Sequence, residues 1–307
     1  MDDCFVCNGS RVVSSYKYKG YHWAQCIHCG LIQVEPLPAP ETLSKYYSHT
    51  YTLAAGADHL DLERPSPDSD RIDHWIRRYA PGSQNVCEVG CSAGWLLRDL
   101  RERGYAVHGY ELSSTTSHIA RERLGLDVVT GEFTQEGGSY DVIVMRHVLE
   151  HTLDPAGQLR AAAQRLNPGG LLILAVPNGA GLAFRLLGEY WTWYIPPAHI
   201  WYFTPQSLRV LLGRSRFDIL FQVTRQGDAN NLFMELGLGL ARWVRALLRG
   251  KDLDYPSVTD VPESFGKHGW FRRGLSNLTN LLYLPLGWFL HYFGWGDELW
   301  LIAGRQS

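Results

Sequence analysis

Net charge is nearly absent from this chain: 29 Lys and Arg face 31 Asp and Glu, a formal charge of −2 with histidine neutral. Such a protein has no global positive field, and binding nucleic acid requires a patch that neutralises phosphates. Residues 1–45 are just as balanced, with Arg11, Lys17, Lys19 and Lys45 against Asp2, Asp3, Glu35 and Glu41. A nucleic-acid partner is therefore not expected. Long apolar runs are also missing. Leu281 to Leu290 is interrupted by Pro285 and falls far short of the ~20 residues of a spanning helix. The opening Met1-Asp2-Asp3-Cys4 is acidic and has no apolar core, which argues against a secretory signal and for a cytoplasmic location. Neither an internal repeat nor a low-complexity tract is present. Cysteine is scarce, six in 307 residues, so its clustering carries information.

Four of the six form two C-x-x-C pairs, Cys4 with Cys7 and Cys26 with Cys29. Each pair can turn two thiolates toward one point, and four thiolates make a closed tetrahedral zinc site. With no open coordination position, that zinc is structural rather than catalytic. Between the pairs, Tyr16, Tyr18, Tyr21 and Trp23 alternate like a small hairpin, and Gly30 suits a tight knuckle turn. So short a segment cannot bury a core of its own, so metal would supply much of its folding energy. The alternative is two disulfides, which the absence of a signal segment disfavours. His28 reads as a surface residue, and Cys87 and Cys91 as small, packable ones.

The other 260-odd residues, in a chain that is 45% hydrophobic, suffice for one large domain with appendages. The expected divisions are a zinc ribbon and linker (1–40), a helical lid or linker (41–80), a core (81–228), a helical insertion (229–297) and a last strand (298–307). Glu35 to Pro40 is a stiff linker, and Glu41 to Tyr51 can form a helix carrying Tyr46, Tyr47 and Tyr51. Leu62 to Asp70, polar and proline-bearing, reads as a mobile connection. In the insertion Leu240, Val244, Leu247 and Leu248 mark one helix face and Arg242, Arg245 and Arg249 another, with Trp270, Trp288 and Trp295 later. Its open roles are a cap, a homodimer interface, or peripheral contact with a membrane surface or a phosphate-bearing substrate.

The core carries an ordered set of motifs. Val86-Cys87-Glu88-Val89-Gly90-Cys91-Ser92-Ala93-Gly94 is an apolar strand entering a glycine-bearing turn before a helix. Ala106 to Glu111 is a second strand ending in a carboxylate, which can accept hydrogen bonds from two neighbouring ribose hydroxyls. Tyr140 to His151 is a strand entering a polar turn, and Leu166 to Asn178 a helix stop followed by a buried strand, with 127–130 a weaker strand before them. Asp154 and Pro155 open one helix and Thr204-Pro205 another; strands fit Phe217 to Val223 and Glu298 to Ala303.

This set, in this order, resembles the class I methyltransferases that use S-adenosylmethionine (SAM), over roughly residues 70–225. The resemblance implies an α/β, Rossmann-like sheet of seven strands with SAM over the carboxyl ends of the first, second and fourth. It points to Gly90, Cys91 and Gly94 at the methionine end, Glu88 near its amino group and Glu111 at the ribose. It also points to Glu132 and Phe133 at the adenine, with Arg146 and His147 closing the pocket. Ser92 stands where the family often has glycine.

Glu150-His151 is the catalytic candidate, because an oxygen or carbon acceptor must shed a proton as it takes the methyl. If 147–151 winds as a helical turn, His147 and His151 share a face. In the related sugar- and quinone-modifying enzymes the corresponding pair lies at the substrate pocket; a His that only holds the loop is the alternative. His199, with Trp193 and Tyr194, is a candidate substrate-side element, with packing as its alternative. Ribbon plus core is similar to bacterial sugar and natural-product methyltransferases. The expected reaction is O-methylation of a small-molecule hydroxyl on a sugar, glycan or natural-product scaffold. C- or N-methylation, and RNA methylation through the ribbon, stand as alternatives.

Overall fold

A computed structural model describes residues 3–13, 20–46, 62–135, 137–225, 232–249 and 292–306. In chain order, strands β1 (Arg11–Val13), β2 (His22–Cys26) and β3 (Ile32–Glu35) precede helices α1 (Pro40–Lys45) and α2 (Ser69–Tyr79). An alternating series follows: β4 (Asn85–Val89), α3 (Trp95–Glu102), β5 (Ala106–Glu111), α4 (Ser114–Leu124), β6 (Val128–Thr130), β7 (Tyr140–Arg146), α5 (Pro155–Arg165) and β8 (Leu166–Pro177). Then come α6 (Leu182–Leu187), β9 (Trp201–Tyr202), α7 (Pro205–Arg214), β10 (Phe217–Arg225), α8 (Leu232–Arg249) and β11 (Glu298–Arg305).

The chain divides into two units. One comprises Ala39–Val176, Leu208–Gln222 and Trp300–Ser307. Its sheet has seven strands in the order β10-β11-β8-β7-β4-β5-β6, the Rossmann-like architecture expected. Strands β6, β5, β4, β7 and β8 are mutually parallel. Parallel strands need crossover connections that cover both sheet faces, which is why Val86, Cys87, Ile143, Val144, Leu172 and Ile173 are wholly buried. Helix α2 turns Ile72, Trp75 and Ile76 inward, and α3 turns Leu96, Leu97 and Leu100, each at helical spacing. Asp154 caps α5 by accepting from the Gly157 N–H at 2.7 Å. Because β4 has β5 on one side and β7 on the other, strand order reverses there, and ligands in such sheets bind outside the carboxyl ends at that point.

Two segments differ from expectation. The stop at Asn167 to Gly170 is a bulge inside β8, whose pairing with β7 jumps from Tyr140↔Leu166 to Val142↔Leu171. Gly169 there has φ 76°, and a Cβ on Gly170 would lie 2.8 Å from the Asn167 carbonyl oxygen, so the chain bends without leaving the sheet. Leu62 to Asp70 is not a loose tether: Ser66 and Asp68 are buried, and the Ser66 N–H donates to Asp99 Oδ2 at 2.7 Å.

The other unit comprises Met1–Pro38, Pro177–Ser207 and Val223–Leu299. Strands β1, β2 and β3 form an antiparallel ribbon, and β9 pairs onto β3 through Ile32↔Tyr202 and Gln33↔Trp201. Ile32 and Val34 pack with Phe184, Trp191 and Tyr202, with Trp295 against them. Thr204 Oγ1 donates to the Cys29 carbonyl oxygen at 2.7 Å and accepts from the Ser207 N–H at 3.1 Å, joining the ribbon to the start of α7. Helix α8 presents Leu240, Val244 and Leu247 as exposed side chains, while Arg242 donates to the Trp191 carbonyl oxygen at 2.7 Å. Tyr16, Tyr18, Tyr47, Tyr51, Trp270, Trp288 and the side chains of Arg245, Leu248 and Arg249 lie outside the described residues. Among the described residues no helix is long and apolar enough to cross a membrane.

Candidate functional site

The turn after β4 is built for close approach. Gly90 and Gly94 have φ of 70° and 87°, and a Cβ on them would lie 2.8 Å from Val148 Cγ2 and 2.4 Å from Leu126 Cδ1. Only glycine meets both the conformation and the space. Ser92 also adopts a left-handed φ, 50°, which for a non-glycine residue costs on the order of 1–2 kcal/mol. The Gly90 and Cys91 N–H groups both donate to the Tyr110 carbonyl oxygen, at 2.8 and 3.1 Å, pinning the turn to β5. Cys91 turns its thiol inward among Leu97, Ala120, Leu126 and Val128. Burial pushes that thiol well above its ordinary pKa, so Cys91 can offer a ligand only its backbone.

At the tip of β5, Glu111 bridges this turn and the next. Its Oε2 accepts from the Ser92 N–H at 2.8 Å and Oε1 from the Ser113 N–H at 2.7 Å. Burial pushes the carboxyl above its usual range, and those two N–H groups oppose the shift. An ionised carboxylate has about four acceptor positions, so each oxygen keeps capacity for a ligand hydroxyl. Beyond β6, Glu132 is exposed, whereas Phe133 is buried with the Arg165 guanidinium 4.4 Å from its ring centre.

Glu88, one residue before the end of β4, is 1% exposed. Its Oε1 accepts from Arg146 Nε at 3.2 Å and Nη2 at 2.7 Å, while Oε2 is buried with no hydrogen-bond partner. Arg146 Nη1 donates to Asp68 Oδ2 at 2.8 Å, and Arg71 donates to Asp68 Oδ1 at 2.6 Å. Asp68 and Arg71 were not singled out in the sequence; the available signal was a polar, Pro-flanked residue just before the apolar period of α2. That signal marks a helix start and says nothing about Arg146.

After β7 the chain kinks at His147, φ 52°, and Leu149–His151 forms one 3₁₀ turn. Glu150 is fully buried, with Oε1 3.1 Å from His147 Nδ1 and 4.0 Å from His151 Nε2. One carboxylate oxygen therefore faces two partly exposed imidazoles, at hydrogen-bonding distance from His147 and at longer range from His151.

In the other unit, Cys4 and Cys29 bring their sulfurs to 3.7 Å, Cys7 and Cys26 to 3.4 Å, and all four lie within 4.8 Å of one another. A zinc–sulfur bond of about 2.3 Å gives tetrahedral edges of about 3.8 Å, so the donor set fits zinc. A disulfide requires about 2.05 Å; none is formed among these four, and His28 is exposed. His199 is buried, its Nδ1 2.8 Å from the Trp193 carbonyl oxygen, and Tyr194 packs into the same aromatic core, while Trp193 is partly exposed.

Residues 64–221 match the family described as "Methyltransferase domain", and the chain belongs to that family. A curated relative, the ubiquinone biosynthesis O-methyltransferase of Caulobacter sp. (strain K31), is 31% identical over 149 residues, 44% of this chain and 59% of that protein. The protein of the same name from Caulobacter vibrioides is 32% identical over 145 residues, 42% of this chain and 57% of its own length. The chain thus spans less than two thirds of these relatives. A SAM-dependent methyltransferase structure from Clostridium acetobutylicum shares the fold, with TM-score 0.50 and 9% identity over 84% of this chain and 99% of that one.

Proposed function

We propose that this chain is a SAM-dependent methyltransferase that methylates a small molecule, on a hydroxyl of a sugar, glycan or natural-product scaffold. The observation that carries the cofactor is Glu111, a buried carboxylate with an acceptor position left on each oxygen, beside a glycine turn at the strand-order reversal. The cofactor's ribose fits those positions, and its ammonium fits the unpartnered Glu88 Oε2. Gly94 and the Cys91 backbone complete that cradle, and Glu132, Phe133 and His147 border the adenine and methyl ends.

Bound SAM supplies an electrophilic methyl on a sulfonium. The residues of the chain align the acceptor with it and remove a proton. His151 takes the proton from the acceptor oxygen, and the buried Glu150 orients the ring and stabilises the imidazolium. Trp193 offers aromatic surface to an acceptor, with the buried Tyr194 and His199 packed behind it. Cys4, Cys7, Cys26 and Cys29 hold a structural zinc. The O-methyltransferase activity named for the ubiquinone-biosynthesis relatives favours oxygen as the acceptor atom.

The test is calorimetry of purified protein with SAM and S-adenosylhomocysteine, followed by turnover on a panel of hydroxyl-bearing acceptors. Binding of both and release of S-adenosylhomocysteine is the expected result. A protein that binds neither sinks the proposal.

A further inference from the structure

A guanidinium has five N–H donors. Arg146 commits Nε and one Nη2 hydrogen to Glu88 Oε1, and one Nη1 hydrogen to Asp68 Oδ2. One N–H remains on each of Nη1 and Nη2, and 22% of the side chain stays exposed. On the acid side one oxygen remains, Glu88 Oε2, buried and unpartnered.

An arginine that merely neutralised a buried carboxylate would grip both oxygens through two parallel bonds. Here two donors converge on one oxygen and the third is drawn away by Asp68, itself anchored by Arg71 at 2.6 Å. The offset leaves a buried carboxylate oxygen and two guanidinium hydrogens without hydrogen-bond partners. An ammonium suits the first and a carboxylate the second, which is the pair of groups on an α-amino acid. Glu88 and Asp68 also balance Arg146 and Arg71 in charge, so a zwitterionic end with no net charge meets no net repulsion.

We infer that Arg146 is the arm that binds the carboxylate of the cofactor's amino-acid end, and that Asp68 is a positioning residue that holds the arm offset from Glu88. The inference rests on the cofactor reading above. Without Asp68 the guanidinium is free to rotate into a two-point grip on Glu88, closing off the oxygen that the ammonium needs.

Three ligands separate this from a purely structural role: S-adenosylhomocysteine, its decarboxylated form, and 5′-methylthioadenosine, which lacks the amino-acid end. By calorimetry the wild-type protein should favour S-adenosylhomocysteine over the decarboxylated form by roughly 10- to 100-fold, the range for a charge-assisted contact. Arg146→Met should erase that preference and leave 5′-methylthioadenosine affinity within about threefold. Asp68→Asn should reduce the preference by about three- to tenfold, with the same unchanged baseline. Wild-type protein that does not discriminate against the decarboxylated form overturns the inference alone. So do variants that weaken all three ligands equally, since that marks a structural ion pair. Should Arg146→Met fail to fold, the wild-type ligand series and Asp68→Asn decide. Wild-type protein that binds none of the three overturns the cofactor reading itself, and the inference with it.

Discussion

Replacing Glu111 with Ala tests the cofactor site where its geometry is most definite. Each carboxylate oxygen takes one backbone N–H, from Ser92 at 2.8 Å and Ser113 at 2.7 Å, and keeps an acceptor position for one of two neighbouring ribose hydroxyls. A hydrogen bond to a charged group contributes about 1.5–3 kcal/mol. Because solvent replaces part of the loss once the carboxylate is gone, the pair together should cost about 1.5–3 kcal/mol of affinity, or roughly 10- to 150-fold in Kd. The variant also leaves two N–H groups without their acceptor, so the unliganded protein should itself melt earlier. Calorimetry with S-adenosylhomocysteine measures the affinity, and the 2′-deoxy analogue isolates the contact. Wild-type protein should bind the analogue more weakly, whereas Glu111→Ala should not distinguish the two. Glu111→Gln should not rescue binding, because its amide NH₂ must face one of two backbone donors. Equal affinity of wild type and Glu111→Ala, or equal discrimination against the 2′-deoxy analogue, refutes the ribose assignment.

Metal analysis of protein purified without chelator should find about one zinc per chain, and Cys4→Ser should lose both the metal and part of the thermal stability; metal-free protein with two disulfides by mass spectrometry removes the zinc site. Changing His151 to Ala should leave cofactor affinity within a few-fold while lowering kcat by about 10²–10⁴. Wild-type turnover should fall on the acid side as an imidazole protonates; a loss of only a few-fold with a neutral amine acceptor would instead mark N-methylation without a base. Asp141 gives a stability test. Burial alone would raise its carboxyl, but the Asn85 and Gln84 N–H groups and the Asn167 amide outweigh it and hold the pKa below the usual value. Its contribution is therefore present above the unfolded pKa and lost as pH falls through the folded one. Asp141→Asn should be less stable at pH 7 by no more than about 1–2 kcal/mol, a gap that closes below about pH 4. Denaturant melts showing a gap independent of pH contradict the assignment.

The elements that could be read in the sequence are those with a local cause. Strands β4, β7 and β8 are continuous apolar runs because both sheet faces are covered. Asp154 marks a helix start because its side chain bonds three residues on. Elements with a remote cause could not be read this way. Strand β9 has two residues and exists through pairing with β3, about 170 residues earlier, so it has no periodicity to detect. The glycines at 169 and 170 carry the same chemistry whether they end a helix or bulge a strand. What decides is that Leu166 already pairs with Tyr140. Helix α8 shows the converse, since its apolar spacing was plain but not which face turns outward.

The candidate site divides along the same line. Gly90, Gly94 and Glu111 sit at fixed offsets from two strand ends, and a strand end is a local fact. The bond from Asp68 to Arg146 joins residues 78 apart, and an ion pair leaves no pattern in the sequence of either partner. Composition pointed the wrong way as well. Prolines and serines around Asp68 are typical of exposed connections, but composition reports what a segment can tolerate in water, not which charges it will meet. Arg146 lies at the end of β7 with Glu88 beside it, and a second carboxylate, Asp68, takes its Nη1. Asp68 is buried in that pairing, and the segment before α2 is held besides by the Ser66 N–H on Asp99.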